Sequence, residues 1–462
     1  MADQPRADAG QDAVTPAQLA EAVRGMHRAA VLVVGDAMVD RYVYGSVSRI
    51  SPEAPIPVLN VEREVALPGG AGNVVRNLTA LGAAVAFVSL VGDDAAGSDL
   101  TGLIGGQPRV EPWLLVQGGR TTTTKTRFLS GGQHLLRTDR EEFQPIHPRL
   151  ADRLVKIASD AVAATTTLVL SDYGKGVLSG EIPARLIRAA RAAGRRVVVD
   201  PKGGDHARFA GADLIMPEPE ELAGATGMPV HDEASAAAAA SALSRRHGFG
   251  AVLVPRVPDG LTLLQAEPDG GETVRHFRAE ASEVHDPAGG GDAVVAVVAA
   301  GLAAGLALPA VARLAALALG IVSRKAGIAV VRSDELLEGL TPGRGAARKL
   351  VSLPLAVEVI ERWRHRGWRI GFLPAGQADC PEETTRRARA WCDRLLVGVR
   401  EETDRASEIA ERPEVDLVAI GADGAGEDTL RLLRPDVMVA PAQDPRLAAL
   451  LREWGGELRF AE

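Results

Sequence analysis

The sequence predicts an α/β protein in two unequal parts: a mostly parallel sheet with helices on both faces and a small β-lid, then a smaller α/β unit. Three observations carry this reading. Short apolar runs alternate with helical patterns over residues 1–330, two stretches rich in Val, Thr, Tyr and Arg interrupt them, and the alternation resumes in a changed texture after Val330. A chain of 462 residues with 46% hydrophobic content has material for two cores.

Along the chain, MADQPRADAGQDAV (1–14) is acidic and lacks an apolar centre, so residues 1–15 are expected to be a disordered tail without a signal peptide. Buried strands are predicted at AAVLVVGD (29–36), AVAFVSLVGDD (84–94), TTLVLSD (166–172), RRVVVDPK (195–202), ADLIMPE (212–218) and GAVLVPR (250–256). Helical patterns at 73–81, 182–193 and 233–247 separate them. Several strands end in a carboxylate: Asp36, Asp172, Asp200 and Glu218. In open α/β sheets ligands gather beyond the carboxyl ends of strands, so these side chains are expected around one cleft. The β-rich stretches 41–66 and 113–138 are assigned to the lid. Residues 293–312 carry no charge, but they are rich in Ala, Gly and Val and contain Pro309. Two buried helices joined near 305–309 are expected there rather than a membrane span.

The first domain is placed at 16–339 and a linker, LTPGRGAARKLVS, at 340–352; the second domain, 353–462, opens with a helix over 354–367. RIGFL, DRLLVGV, VDLVAIG and PDVMVAP then give it four strands. The net charge of −8 argues against nucleic acid or an anionic membrane as a partner; the basic run WRHRGWR (363–369) reads as the solvated end of a helix. Cys380 and Cys392, twelve residues apart, suit neither a zinc site nor a disulfide framework, which fits a reducing cytoplasm.

Chemistry is concentrated in HDPAGGGDAVV (285–295). Gly289, Gly290 and Gly291 at a helix start let backbone N–H groups face an anion, and the helix dipole adds positive charge. Asp292 follows at once, where a carboxylate can take a hydroxyl proton during phosphoryl transfer. A second glycine turn, LPGGAGNVVRNLTALGA (67–83), presents Gly69, Gly70 and Asn73.

On these motifs the chain resembles the ribokinase-type carbohydrate kinases. GDAMVDRYVYGSVSRISPEAPIPV (35–58), VLSDYGKGVL (169–178) and VVDPKGGDHARFAGADLIMPE (198–218) are similar to the heptose-phosphate kinase half of bifunctional heptose kinase/adenylyltransferases, over residues 30–331. The resemblance implies a ribokinase-like three-layer sandwich that moves the γ-phosphoryl of ATP, with Mg²⁺, onto the anomeric hydroxyl of a heptose 7-phosphate. It implies Asp292 as base and Gly289, Gly290 and Gly291 as anion hole. Asp36, Asp40, Gly69, Gly70, Asn73 and Asp172 are carried over to the sugar. Lys125, Arg127, Lys175 and Lys202 are carried over to the distal phosphate, Arg256 and Gly260 to the nucleotide, and Glu218 and Glu221 to the metal. A homodimer through the lid is implied too.

Four nucleotide-side positions depart from the family pattern. Ala288 stands where a Thr or Ser precedes the glycines, Glu218 replaces an Asn, Pro255 replaces a Thr, and Ala316 replaces an Asn. These departures keep open a second reading, a non-catalytic sugar-phosphate-binding regulator or scaffold, and a third, a kinase for another sugar. The second domain resembles a Rossmann-like nucleotidyltransferase in which a His-x-Gly-His motif grips triphosphate. The matching stretch here runs from Ala378 through Cys380 to Pro381, and APAQD (440–444) stands at the later Lys-Gly segment. The chain ends before the family's last Ser/Thr-rich motif. With no imidazole or lysine left at these positions, the expectation is a domain without nucleotidyl transfer.

Overall fold

The computed structural model describes residues 14–460 apart from 132, 258, 268, 280–288, 324, 326, 341–348, 366–367, 377–380, 413, 423–425 and 441–443. The tail before Val14, Ala288, the bulk of the linker, 378–380 and 441–443 therefore lie outside the described residues. The chain divides into two compact units, Met1–Leu337 and Glu338–Glu462.

In the first unit the buried runs become β1 (Ala30–Gly35), β4 (Ala84–Gly92), β8 (Thr167–Ser171), β9 (Arg196–Asp200), β10 (Leu214–Ile215) and β11 (Ala251–Arg256). They join β5 (Val110–Gln117), β12 (Gly260–Ala266) and β13 (Glu272–Arg278) in a nine-stranded sheet of order β13-β12-β11-β10-β9-β8-β1-β4-β5. Pairing is parallel from β11 to β5 and antiparallel at β11–β12 and β12–β13. After β1 the chain builds towards β4 and β5; after β8 it builds the other way. The switch in strand order thus falls between β1 and β8, where α/β sheets leave a crevice for ligands. Asp36 and Asp172 are the residues immediately beyond those two strands.

The lid is a separate four-stranded sheet of β2 (Ala37–Ile50), β3 (Pro57–Gly70), β6 (Thr124–Ser130) and β7 (Gln133–Arg140), ordered β3-β2-β6-β7. Its register sets Asp40 beside Lys125 and Tyr42 beside Arg127. Residues 41–66 lie in the lid as expected, whereas Trp113 does not: β5 pairs with β4 at the edge of the main sheet, and Trp113 is 42% exposed there. Alternation on an edge strand resembles that of a lid strand, which accounts for the misreading. The uncharged stretch forms helices Gly290–Ala303 and Leu308–Ser323, with Gly305 between them at φ +85°. Among the described residues no helix is long and apolar enough to cross a membrane.

Among its described residues the second unit has six parallel strands where the sequence suggests four: β14 (Leu350–Ser352), β15 (Ile370–Gly376), β16 (Arg394–Val399), β17 (Leu417–Ile420), β18 (Val437–Ala440) and β19 (Glu457–Phe460), ordered β14-β17-β16-β15-β18-β19. Leu350–Ser352, which the sequence places in the linker, is an edge strand three residues long, too short for periodicity to reveal. Leu395, Val397 and Val418 pack on one face, and Leu396, Leu417 and Ala419 on the other. The two-residue period of a strand buried on both faces produces that division.

Candidate active site

Asp292 is the third residue of helix Gly290–Ala303, whose N-cap is Gly289. Gly289 has φ +84°, and a Cβ there would lie 3.0 Å from Asn73 Nδ2 and 3.2 Å from Ile328 Cγ2. Only glycine meets both the left-handed backbone and the close approach. Among the described residues, nothing outside the helix's own backbone and the chain neighbours of Gly291 lies within 4 Å of its Cβ position, so they leave the face beside Asp292 unfilled. The first N–H groups of a helix have no partner within it, and here they lie next to Asp292.

The Asp292 carboxylate is held at both oxygens. Asn73 Nδ2 donates to Oδ2 at 2.6 Å, and the Tyr173 hydroxyl donates to Oδ1 at 2.5 Å. Asn73 is itself fixed, since its Oδ1 accepts from Arg76 Nη1 at 2.8 Å and its carbonyl from Asn77 Nδ2 at 2.9 Å. Burial pushes the Asp292 pKa up to about 6, against the two donors that favour the charged form. A carboxylate tuned towards neutrality beside an open helix start can receive a proton near physiological pH.

Asp36 has another role from the one expected. It is 1% exposed, and it accepts backbone N–H bonds from Tyr173 (2.9 Å), Lys175 (3.0 Å) and Val177 (2.9 Å). It therefore organises the loop after β8, a role the sequence reading did not give it. Asp172 likewise accepts from Gly174 N at 3.0 Å and pairs with Arg208. Burial and the nearby Asp36 carry its pKa up to about 6, with Arg208 opposing.

Gly69 and Gly70 shape the floor. A Cβ on Gly69 would stand 1.9 Å from Asp40 Oδ2, and Gly70 takes φ +56° as N-cap of helix Ala71–Ala80. Asp40 pairs with Arg127 Nη1 at 2.5 Å; burial raises its pKa and Arg127 lowers it, with burial prevailing. Lys125 Nζ contacts Asp139 (3.0 Å) and Glu141 (2.9 Å), and Lys175 Nζ reaches the same Glu141 oxygen at 3.0 Å. Two ammonium groups thus converge on one carboxylate.

Lys202 Nζ lies 3.1 Å from Glu218 Oε2 and 3.1 Å from Glu221 Oε1. Lys202 is accordingly tied to Glu218 and Glu221, while Lys125 and Lys175 share Glu141. Although burial opposes its charge, the two glutamates and Asp200 hold its pKa above the usual lysine range. Asp200 is raised well above the usual carboxylate range by burial and then by Asp292. Among the described residues no group of three or more His, Cys, Asp or Glu side chains is placed to hold a metal. Arg256 is engaged with Thr262 (2.9 Å), Glu233 (3.3 Å) and Asp259 (3.9 Å). A Cβ on Gly260 would meet the Phe277 carbonyl at 1.9 Å, so that glycine serves the β12–β13 pairing.

Sequence reasoning missed Tyr173, Glu141 and Arg208. Tyr173 stands inside the quoted VLSDYGKGVL string, and its contact with Asp292 spans 119 positions, beyond the reach of local pattern.

A lidded parallel sheet with a glycine-led helix start and a buried carboxylate at its switch point defines a sugar kinase of the ribokinase type. Residues 28–333 match the pfkB family carbohydrate kinase model, and the chain belongs to that family. It is a carbohydrate kinase. The chain is 52% identical over 471 residues to the bifunctional protein HldE of Acidiphilium cryptum, covering 96% of this chain and 95% of that one. With the bifunctional protein HldE of Paramagnetospirillum magneticum it shares 44% over 476 residues, covering 96% and 95%. Among solved structures, the Arabidopsis thaliana ribokinase complexed with ribose and ATP aligns with a TM-score of 0.53 at 20% identity, covering 68% of this chain and 99% of that one. The tetrameric inhibited form of Escherichia coli phosphofructokinase-2 aligns at 0.56 and 18%, covering 68% and 98%. These likenesses establish the fold.

Proposed function

We propose that the chain transfers the γ-phosphoryl group of ATP to the anomeric hydroxyl of a heptose 7-phosphate. The observation that carries this reading is Asp292, a buried carboxylate fixed by two donors at the open start of a glycine-led helix. The acceptor hydroxyl gives its proton to Asp292 while its oxygen attacks the γ-phosphorus. The bond to the bridging oxygen breaks and ADP leaves. Backbone amides at Gly290 and Gly291 stabilise charge on the moving group. Lys125 and Lys175 receive the distal phosphate in place of Glu141, and Arg127 keeps Asp40 directed into the lid side of the cleft.

Glu218 and Glu221 already bracket a cation, the Lys202 ammonium, and two carboxylates completed by phosphates and water suit Mg²⁺. Bound there with ATP, Mg²⁺ would neutralise phosphate charge. Several apolar side chains of the lid are exposed, among them Ile50, Ile56, Val61 and Leu136, which supports a homodimer formed through this sheet. The second unit is proposed to carry no nucleotidyl transfer, because Ala378 and Pro381 offer no side-chain donor to a phosphate.

The test is product analysis. Full-length protein with ATP, Mg²⁺ and heptose 7-phosphate should yield ADP and a heptose bisphosphate whose second phosphorus shows coupling to the anomeric carbon in NMR. Sugar-phosphate binding without ADP formation would instead establish the non-catalytic reading.

A further inference from the structure

Tyr173 Oη donates to Asp292 Oδ1, the oxygen opposite the one that Asn73 holds. The ring has little freedom to leave. Its backbone N–H is bonded to Asp36, as are those of Lys175 and Val177, so one buried carboxylate pins three points of a short loop. Gly174 at φ +66° and Gly176 at φ +103° give the loop its turns, and a Cβ on Gly176 would meet the Gln144 carbonyl at 2.1 Å. The Lys202 ammonium lies over the ring, 5.8 Å from its centroid.

A carboxylate base needs a fixed plane and a lone pair free for the incoming proton. One donor on each oxygen fixes the plane, and each oxygen retains acceptor capacity for the substrate hydroxyl. A donor to the charged form also favours ionisation, which burial opposes. We infer that Tyr173 is a positioning residue for phosphoryl transfer: its hydroxyl, delivered by the Asp36-pinned loop, orients the Asp292 carboxylate and keeps it ionised to accept the sugar proton. This role rests on the kinase reading with Asp292 as base. The same loop carries Lys175, so the side chain that meets the distal anion and the one that aligns the base are two residues apart on one anchored segment.

Tyr173→Phe keeps the ring and removes the hydroxyl. In pH–rate profiles from pH ~5 to ~9, its kcat should fall on the order of tenfold near pH ~6.5 and recover towards wild type in alkali. The acid limb should move up by about 1.5 units, the shift that a tenfold loss near pH ~6.5 requires, while KM for the sugar phosphate stays within about twofold. A ¹³C titration of labelled Asp292 reads the same hydrogen bond without turnover, and its midpoint should move up in the variant. A variant that loses rate equally at every pH with an unmoved midpoint would show a merely structural ring and overturn the role. A wild-type protein that never turns over sinks the kinase reading itself; a turning-over wild type with an unshifted variant limb sinks only the role of Tyr173.

Discussion

Gly289 meets two demands at once, a left-handed backbone at φ +84° and a Cβ position 3.0 Å from the amide that holds the base. Gly289→Ala is expected to lose roughly 1–2 kcal/mol in chemical denaturation from backbone strain alone. Because Asn73 must also shift, kcat should drop more than stability predicts, and paired denaturation and rate measurements check this. Asp292 gives a pH dependence whose sign is fixed by its role. As the proposed base it works deprotonated, and burial pushes its pKa up to about 6. Activity should therefore fall as pH drops through about 6 and level off above it, in a profile of kcat/KM against pH. At this scale the two glycine-led helix starts that carry Asn73 and Asp292 can be read from sequence, because helix-start chemistry is local, but the Asn73–Asp292 contact across 219 positions cannot. Nor can the role of Asp36: its position at a strand end is readable, but its three amide partners lie about 140 residues away.

The lid and the loop after β8 meet at Glu141, whose carboxylate takes both Lys125 and Lys175. On the proposed reading, the distal phosphate of a sugar phosphate competes with that carboxylate for the two ammonium groups. Glu141→Gln should consequently lower KM for the phosphorylated sugar severalfold and leave KM for ATP unchanged, as steady-state kinetics with each substrate varied would read. Elements buried on both sides were plain in the sequence: β1, β4, β8, β9 and β11 are continuous apolar runs. Those with one wet face were harder. β5 was read as lid because an edge strand alternates as a lid strand does, and β13, ETVRHFR, has no apolar run at all.

Each of the two units has its own hydrophobic clusters, the larger around Leu168, Leu170 and Val199 and the smaller ones around Val397 and Phe372. A chain ending after Gly339 should accordingly keep its kinase rate within about twofold, since a unit with its own core can fold alone. Assay of the truncated and full-length proteins side by side checks that expectation. The second sheet was legible in its four apolar strands and hidden in β14 and β19, which are short and carry polar residues. With Glu218, Pro255 and Ala316 in place, Asp292 keeps both its donors, Asn73 and Tyr173, and is proposed to serve as the base of a working kinase. The most direct test of that role compares wild type with Asp292→Asn, measuring ADP release dependent on heptose 7-phosphate and, by calorimetry, affinity for that sugar phosphate. The account predicts sugar-dependent ADP release in the wild type, a loss of about 10²–10⁴-fold in the variant, and similar sugar affinity in both. A variant retaining more than about a tenth of the wild-type rate, or a wild type that binds the sugar phosphate and releases no ADP, would contradict it.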